Sequence, residues 1–345
     1  MNMAGPAVAP LSGAVDMTHG GGGRASADLI AALFQRHFAN PALDRGDDAA
    51  LVGVPAGRIA VSTDGHVISP VFFPGGDIGS LAVHGTLNDV AMAGATPVSM
   101  TAGFILEEGF PLADLERIVM SMAQAAKHAG VPIVAGDTKV VEKGKGDGVF
   151  ITTTGIGIVP DGVDISAASA RPGQAIVLSG SIGDHGVAIL SKRENLEFET
   201  EIQSDSAALH NMAGAIVAAH PGISVMRDPT RGGLAAALNE IAQASAVGVT
   251  LDEAVIPVKP DVKAACELLG LDPLYVANEG KMICICDAPI AANVLSIMRA
   301  DPLGVDACII GKITDDPARL VRMTTLFGGT RVVDWLAGEQ LPRIC

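Results

Sequence analysis

Apolar positions fall in short runs and helical stripes along the whole chain. Leu29, Ile30, Leu33 and Phe34 recur at helical spacing behind Ser26, which predicts a helix capped by that serine. The runs Leu51–Val54, Ile59–Thr63, Ile133–Ala135 and Phe150–Ile158 predict strands. Helical patterns lie between them at Ile78–Ala93 and at Leu112–Ala129, the second started by Pro111. The stretch Val159–Gln174 carries two prolines, two glycines and several small polar residues, and reads as a domain joint. Beyond it come a strand at Ala175–Ser179, helices near Ser206–Ala219 and Gly233–Ser245, and a strand at Met282–Cys286. Strands and helices alternate in both halves, so the pattern predicts two layered α/β domains.

The length of 345 residues agrees with two domains, each able to bury a core. Boundaries follow as a flexible N-terminal extension over 1–15, a first domain over 16–165, a second over 166–335 and a mobile tail over 336–345. A net charge of -15 argues against binding phosphate backbones, and one Trp, one Tyr and nine Phe leave no stacking platform for nucleic acid. The first charged residue is Asp16 and the first basic one Arg24, so a signal peptide is not expected. The longest apolar stretch, Val90 to Leu106, is broken by Gly94, Pro97 and Gly103 and is too short to span a bilayer. Five cysteines without a CxxC pair fit neither a disulfide framework nor a zinc site, and the eight histidines form no HExxH pair. A cytoplasmic, reduced protein is expected.

Acidic residues carry the chemistry. Asp47 and Asp48 precede the run Leu51–Val54, Asp64 ends the run Ile59–Thr63, and Asp137 follows Ile133–Ala135. Asp89 sits inside an apolar helix whose i±3 and i±4 neighbours, Gly85, Thr86, Met92 and Ala93, include no cation. A buried, unpaired carboxylate is costly, and Mg²⁺ held with phosphate oxygens offsets that cost. Caps and turns account for any one of these acids equally well; the set, with Asp89 in it, favours a metal. The glycine run Gly20, Gly21, Gly22, Gly23 ahead of a helix offers backbone N–H groups to a phosphate. GxxxxGK[ST] is absent, which excludes an ordinary P-loop. The turn Asp228-Pro229-Thr230-Arg231-Gly232-Gly233-Leu234 opens another helix, where an anion site and a plain capped start are alternatives. Asn278-Glu279-Gly280-Lys281 is a polar turn, either solvent-exposed or presenting a catalytic Glu.

The chain stops at Leu341-Pro342-Arg343-Ile344-Cys345, which is no prenylation box. A thiol at the tip of an arm can be loaded at one site and delivered at another; an incidental terminal cysteine is the alternative. Cys284 and Cys286 share one strand face and read as core.

Taken with His19-Gly20-Gly21-Gly22-Gly23, Gly46-Asp47-Asp48-Ala49-Ala50, Asn88-Asp89-Val90-Ala91-Met92-Ala93-Gly94-Ala95 and Gly136-Asp137-Thr138-Lys139, these segments resemble the HypE family of hydrogenase maturation factors, in the aminoimidazole ribonucleotide synthetase-like superfamily. The resemblance runs from Val15 to Cys345, and the terminal Cys after Pro-Arg-Ile selects this family. Selenophosphate synthetases carry Cys or selenocysteine near the glycine loop, whereas no Cys here precedes Cys266; thiamine-monophosphate kinases lack the terminal Cys.

The resemblance implies an α/β two-domain fold whose N-terminal domains pair into a β-barrel in a homodimer. It implies ATP and Mg²⁺, a carbamoyl group loaded on Cys345 by HypF, dehydration to a thiocyanate, and delivery of cyanide to iron on a HypC–HypD complex. By the motif matches Glu279 is the candidate base and Lys139 tunes it or binds phosphate. The same matches make Asp48, Asp64, Asp89, Asp137 and Asp228 metal ligands. They assign ATP to Gly20–Gly23, Asp64, Asn88, Gly136, Asp137, Thr138, Lys139, Arg231, Gly232 and Gly233. Two alternatives stay open: another ATP-dependent enzyme of the superfamily, and a non-catalytic, ATP-sensing scaffold whose tail docks partners.

Overall fold

The computed structural model describes residues 12–21, 23–45, 49–195, 202–335 and 343–345. Gly22, Asp47, Asp48 and most of the expected N-terminal extension lie outside them. The last residues of that extension are pinned instead of loose. Val15 is buried, its N–H donates to Phe110 O, and its carbonyl accepts from Gly109 N.

A 3-10 turn, Met17–Gly20, leads into a helical rod made of α1 (Arg24–Leu29), a π-helical middle (Ile30–Gln35) and α2 (Arg36–Phe38). Leu29, Leu33 and Phe34 are buried as expected, but Gly23 caps the rod and Ser26 lies inside it, bonded to Thr18 O. Next come β1 (Arg58–His66), a hairpin of β2 (Phe72–Phe73) and β3 (Gly76–Asp77), and α3 (Ile78–Met92). Asp77 caps α3 by accepting from Gly79 N and Ser80 N. Then follow β4 (Thr96–Glu107), α4 (Leu112–Ala129), β5 (Ile133–Val141) and β6 (Val149–Val159). The sheet order is β1-β6-β4-β5, with β4 and β5 parallel around the α4 crossover. The run Leu51–Val54, expected as a strand, is irregular and solvent-exposed; three apolar residues interrupted by Gly53 and followed by Pro55 and Gly57 find no sheet partner.

The second half holds β7 (Ala175–Leu178), α5 (Asp184–Arg193), α6 (His210–Ala219), β8 (Val225–Arg227), α7 (Gly233–Ser245), β9 (Gly248–Asp252), α8 (Pro260–Leu269), β10 (Ile283–Cys286), α9 (Ala288–Ala300), β11 (Cys308–Thr314), β12 (Val321–Thr324) and β13 (Thr330–Val332). Seven strands form one mixed sheet in the order β13-β12-β9-β11-β7-β10-β8. Cys284 and Cys286 are fully buried core residues. The helix expected from Ser206 starts only at His210, because Ser204, Asp205 and Ser206 give their side chains to other segments.

α3 ties the halves together. It is buried nearly all round, as a helix without a polar face must be. Leu81, Ala82, Val83 and Leu87 pack into the first core with α4, while Ala91 and Met92 join Leu209, Met212 and Ile216 of the second half. The cleft between the halves therefore runs along α3, where Asp89 sits.

Candidate active site

Ser62, Asp64 and His66 alternate along β1 and face α3, so strand periodicity places them opposite Thr86 and Asp89, one helical turn apart. Thr86 Oγ1 donates to Asp64 Oδ2 at 3.2 Å and Ser62 Oγ to Asp89 Oδ2 at 2.7 Å. Asp228, at the end of β8, and Glu279, in the turn before β10, enter the cleft from the other half, and both are buried. Gly85 marks the meeting point: a Cβ there would lie 3.3 Å from His66 Cε1 and 3.8 Å from both Asp64 Oδ2 and Glu279 Oε2.

Burial acts on all four acids, and repulsion from the others acts on three of them. Burial raises the pKa of Asp64 and, with the charge of Asp64 added, that of Asp89. Asp228 is pushed up to about 7 by burial and then by Asp89. Glu279 lies well above the usual carboxylate range, through burial and then Asp228, Asp205, Asp64 and Asp89. His66 is driven down to about 4 by burial, and its Nδ1 has no partner. Arg227 is paired with Glu240 at 2.8 Å, and Arg231 is the cation whose charge opposes the rise at Asp64. Among the described residues no three His, Cys, Asp or Glu side chains converge into a metal cage. A cleft whose ionisable ligands are mainly carboxylates suits Mg²⁺, which keeps waters and phosphate oxygens in its shell. The residues present fit that ion as partial ligands.

Glu279 is held by a built cradle. Asp205 Oδ1 accepts from Glu279 N at 3.1 Å, and Asp205 Oδ2 accepts from Gly280 N at 3.3 Å and from Lys281 Nζ at 3.0 Å. Burial pushes the Asp205 pKa up, but Lys281, His185 and these N–H groups outweigh it and hold it below the usual value. Gly280 is obligatory, since a Cβ there would fall 1.8 Å from Asp205 O. Asn278 Oδ1 accepts from Gly183 N and its amide donates to Pro229 O and Val276 O. The segment is thus a buried cradle and no solvated turn. Nothing in the spacing of Gln203-Ser204-Asp205-Ser206 signals Asp205, because its partners stand about seventy-five positions away.

Other expected site residues are placed as follows. Asn88, expected at ATP, spends its amide on Ala207 O and Glu279 O and its oxygen on Leu209 N, so it fixes Glu279 and has no group left for a nucleotide. Gly233 donates its N–H to Thr230 O and backs on the carbonyls of Leu274 and Val276, so it serves packing; Gly232 is the left-handed cap of α7. Gly21 N is likewise spent, on Thr18 O. Gly20 lies against Val140 of β5 and, with His19, Gly136, Asp137, Thr138 and Lys139, lines a cavity of about 390 Å³ walled further in by Phe34 and Phe104. Asp137 accepts from Lys139 Nζ at 2.6 Å, which holds its pKa low. That pair is exposed, three strands from Asp64 and on the opposite face, since Asp64, Thr153, Ala102 and Gly136 are in register. Lys139 is therefore not among the charges acting on Glu279, and within one chain it does not tune that residue.

The chain end is seated in the cleft. Ile344 is buried in the first core, and Cys345 is half-buried against it. The Cys345 thiol is pushed up to about 12 by burial and then by Glu279, with Arg231 opposing and Asp64 adding. Arg343 pairs with Asp147 and donates to Val67 O.

This two-sheet fold with an acid-lined cleft is that of the AIR synthase related proteins, whose N-terminal domain matches residues 46–159 and whose C-terminal domain matches residues 171–322. Carbamoyl dehydratase HypE of Cupriavidus necator is 66% identical over 97% of this chain and 95% of its own. The crystal structure of hydrogenase maturation protein HypE in complex with ATP superposes with a TM-score of 0.93 at 50% identity, covering 95% of this chain and 99% of that one. The chain in a HypE–HypF complex does so at 0.79 and 48% identity, covering 89% and 99%. The chain belongs to the carbamoyl dehydratase HypE family.

The cradle yields a stability prediction. Asp205→Ala strands the buried Lys281 ammonium and should destabilise the fold by about 3–5 kcal/mol in urea unfolding. Lys281→Met, which leaves Asp205 its two backbone donors, should cost clearly less. A change below about 1 kcal/mol for Asp205→Ala would mean that the pair does not hold the turn.

Proposed function

We propose that this chain is an ATP-dependent carbamoyl dehydratase that acts on a carbamoyl group carried by its own Cys345. The observation that carries the reading is the seat of that terminal thiol beside Glu279 and Asp64. A thiocarboxamide there presents a poor leaving group, the amide oxygen, and two N–H protons. Transfer of the γ-phosphoryl group of ATP to that oxygen converts it to phosphate. Loss of both N–H protons and breakage of the C–O bond then leave S–C≡N on Cys345, with ADP and phosphate as the other products. Glu279, raised well above the usual carboxylate range by burial and the neighbouring acids, is the base for an N–H proton. Asp64, Asp89 and Asp228 would hold Mg²⁺, with Asp48 and Asp137 as further candidates; the ion would offset charge on the phosphates.

ATP is assigned to the cavity of Gly20, Gly136, Thr138 and Lys139, with its base against the Phe34 and Phe104 wall. That cavity and the acids belong to one site only if two copies meet. β1 and β5 are the free edges of the four-stranded sheet, and its open face carries exposed Ile59, Val61 and Ile105. In a homodimer that joins β1 of one copy to β5 of the other, the sheets close into a barrel. The edge strand that carries Gly136, Asp137, Thr138 and Lys139 in one copy then borders the strand that carries Asp64 in the other, which brings the cavity and its phosphates to the acids, with Lys139 as a candidate for phosphate. Loading of Cys345 is assigned to a HypF carbamoyltransferase and acceptance of cyanide to a HypC–HypD iron complex, in the cytoplasm. No helix among the described residues is long and apolar enough to cross a membrane. Residues 16–165 and 166–335 serve as the two domains in this reading, with 336–345 as the delivering tail.

Cys345→Ser should take up no carbamoyl group and yield no cyanated product; continued cyanation by that variant would leave only the scaffold reading. Asp89→Asn should fold normally yet lose most ATP turnover, since an amide is a weaker, neutral ligand. Turnover unchanged at limiting Mg²⁺ would remove the acid cluster as the metal site. Light scattering at micromolar concentration should give a dimer mass, and a fully active monomer would contradict the barrel.

A further inference from the structure

The terminal residues Arg343–Cys345 are held by every one of their backbone carbonyls. Val67 N donates to Cys345 O at 3.2 Å and Ser69 N to Arg343 O at 3.3 Å, as in a short antiparallel pairing beyond the end of β1. The middle carbonyl, of Ile344, points the other way and accepts from His185 Nε2 at 2.8 Å. Arg193, two turns further along α5, donates through Nη2 to Arg343 O at 2.7 Å, and its Nε and Nη2 bond Ser69 O at 2.9 and 2.7 Å. One helix of the second half thus grips the tail and also the first-half segment on which the tail lies.

His185 is built for this task. It is completely buried, with the edge of its ring against Phe73 at 5.7 Å. Ser204 Oγ stands 2.7 Å from Nδ1 and itself accepts from Ser206 N. The serine hydroxyl proton therefore goes to Nδ1, which leaves the imidazole proton on Nε2, aimed at Ile344 O. Arg343 adopts a left-handed backbone, φ 54°, which a residue with a Cβ takes only when its surroundings impose it. The grip involves backbone atoms alone, so it is indifferent to what the sulfur carries.

We infer that His185 and Arg193 are positioning residues that latch the tail carbonyls and so fix the distance of the Cys345 sulfur from Glu279. This deepens the carrier reading and rests on it for its purpose, though its test does not. Unlatching lets Cys345 leave for loading; latching returns the loaded sulfur to one register in the cleft.

The test is the rate of iodoacetamide alkylation of Cys345 in the full-length protein, read by mass spectrometry on the C-terminal peptide. His185→Leu, which removes one hydrogen bond to a carbonyl, should alkylate about fivefold faster. His185→Gln, which can place an amide N–H near the position of Nε2–H, should return most of the way to the wild-type rate. Arg193→Met, at a more exposed site, should also alkylate faster without moving the unfolding midpoint, and it decides the matter if His185→Leu does not fold. Wild-type rates in the Leu and Met variants would overturn the latch, as would a Gln variant as fast as the Leu variant. Alkylation is read without turnover, so failure of the carrier reading shows separately, as a latched Cys345 that never takes up a carbamoyl group.

Discussion

Carboxylates brought together where water is scarce repel one another, and the cleft between the two halves is arranged around that repulsion. Asp64 and Asp89 come from the first half, Asp228 and Glu279 from the second; Asp64 raises the proton affinity of Asp89, both raise that of Asp228, and all three raise that of Glu279. A protein held together only by its own contacts would relax such a group by turning the side chains apart. Here they cannot turn. Thr86 and Ser62 bond Asp64 and Asp89, while Asn88 and Asp205 hold the backbone of Glu279 from two sides. The acid excess is thus a feature of the fold; in the proposed reaction a hard cation and its phosphate ligands would answer it, and it would keep Glu279 basic.

The same constraint explains why the halves meet along α3. A helix apolar on every side has to be covered on every side, and it takes one layer from each half. Asp89 is the one carboxylate of this helix and lies near its end, so covering α3 delivers that carboxylate to the seam. The chain end closes the seam again, with Ile344 buried in the first core and its carbonyl on His185 of the second half. Catalytic reach and domain docking are set by the same contacts.

Much of this was legible in the sequence. α4 and α7 are where their apolar stripes put them, and Asp89 stood out because nothing at helical spacing could neutralise it. The terminal Cys345 stood out as a candidate carrier from its position, with an incidental cysteine as the alternative. β4 was hidden, because bulges beside Ser99 and Met100 break its alternation and its residues merge with the end of α3 into one apolar stretch. Asp205 and His185 were invisible for a different reason: their partners are far away in sequence, and a polar residue beside serines looks solvated. Asn88 and Gly233 share motifs with neighbouring site residues, so the resemblance assigned them to the nucleotide; in the structure their hydrogen bonds go to the scaffold.

The central claim is that Glu279, fixed by its cradle, takes a proton from the group on Cys345. Mass spectrometry of the C-terminal peptide tests this most directly, after incubation of wild type and Glu279→Gln with the carbamoyl-donor system and Mg-ATP. In the wild type the account predicts a carbamoyl adduct that loses one water equivalent to become a thiocyanate. In Glu279→Gln it predicts an adduct that forms at the wild-type rate and stays at the carboxamide stage. A thiocyanate appearing in that variant at the wild-type rate would contradict it.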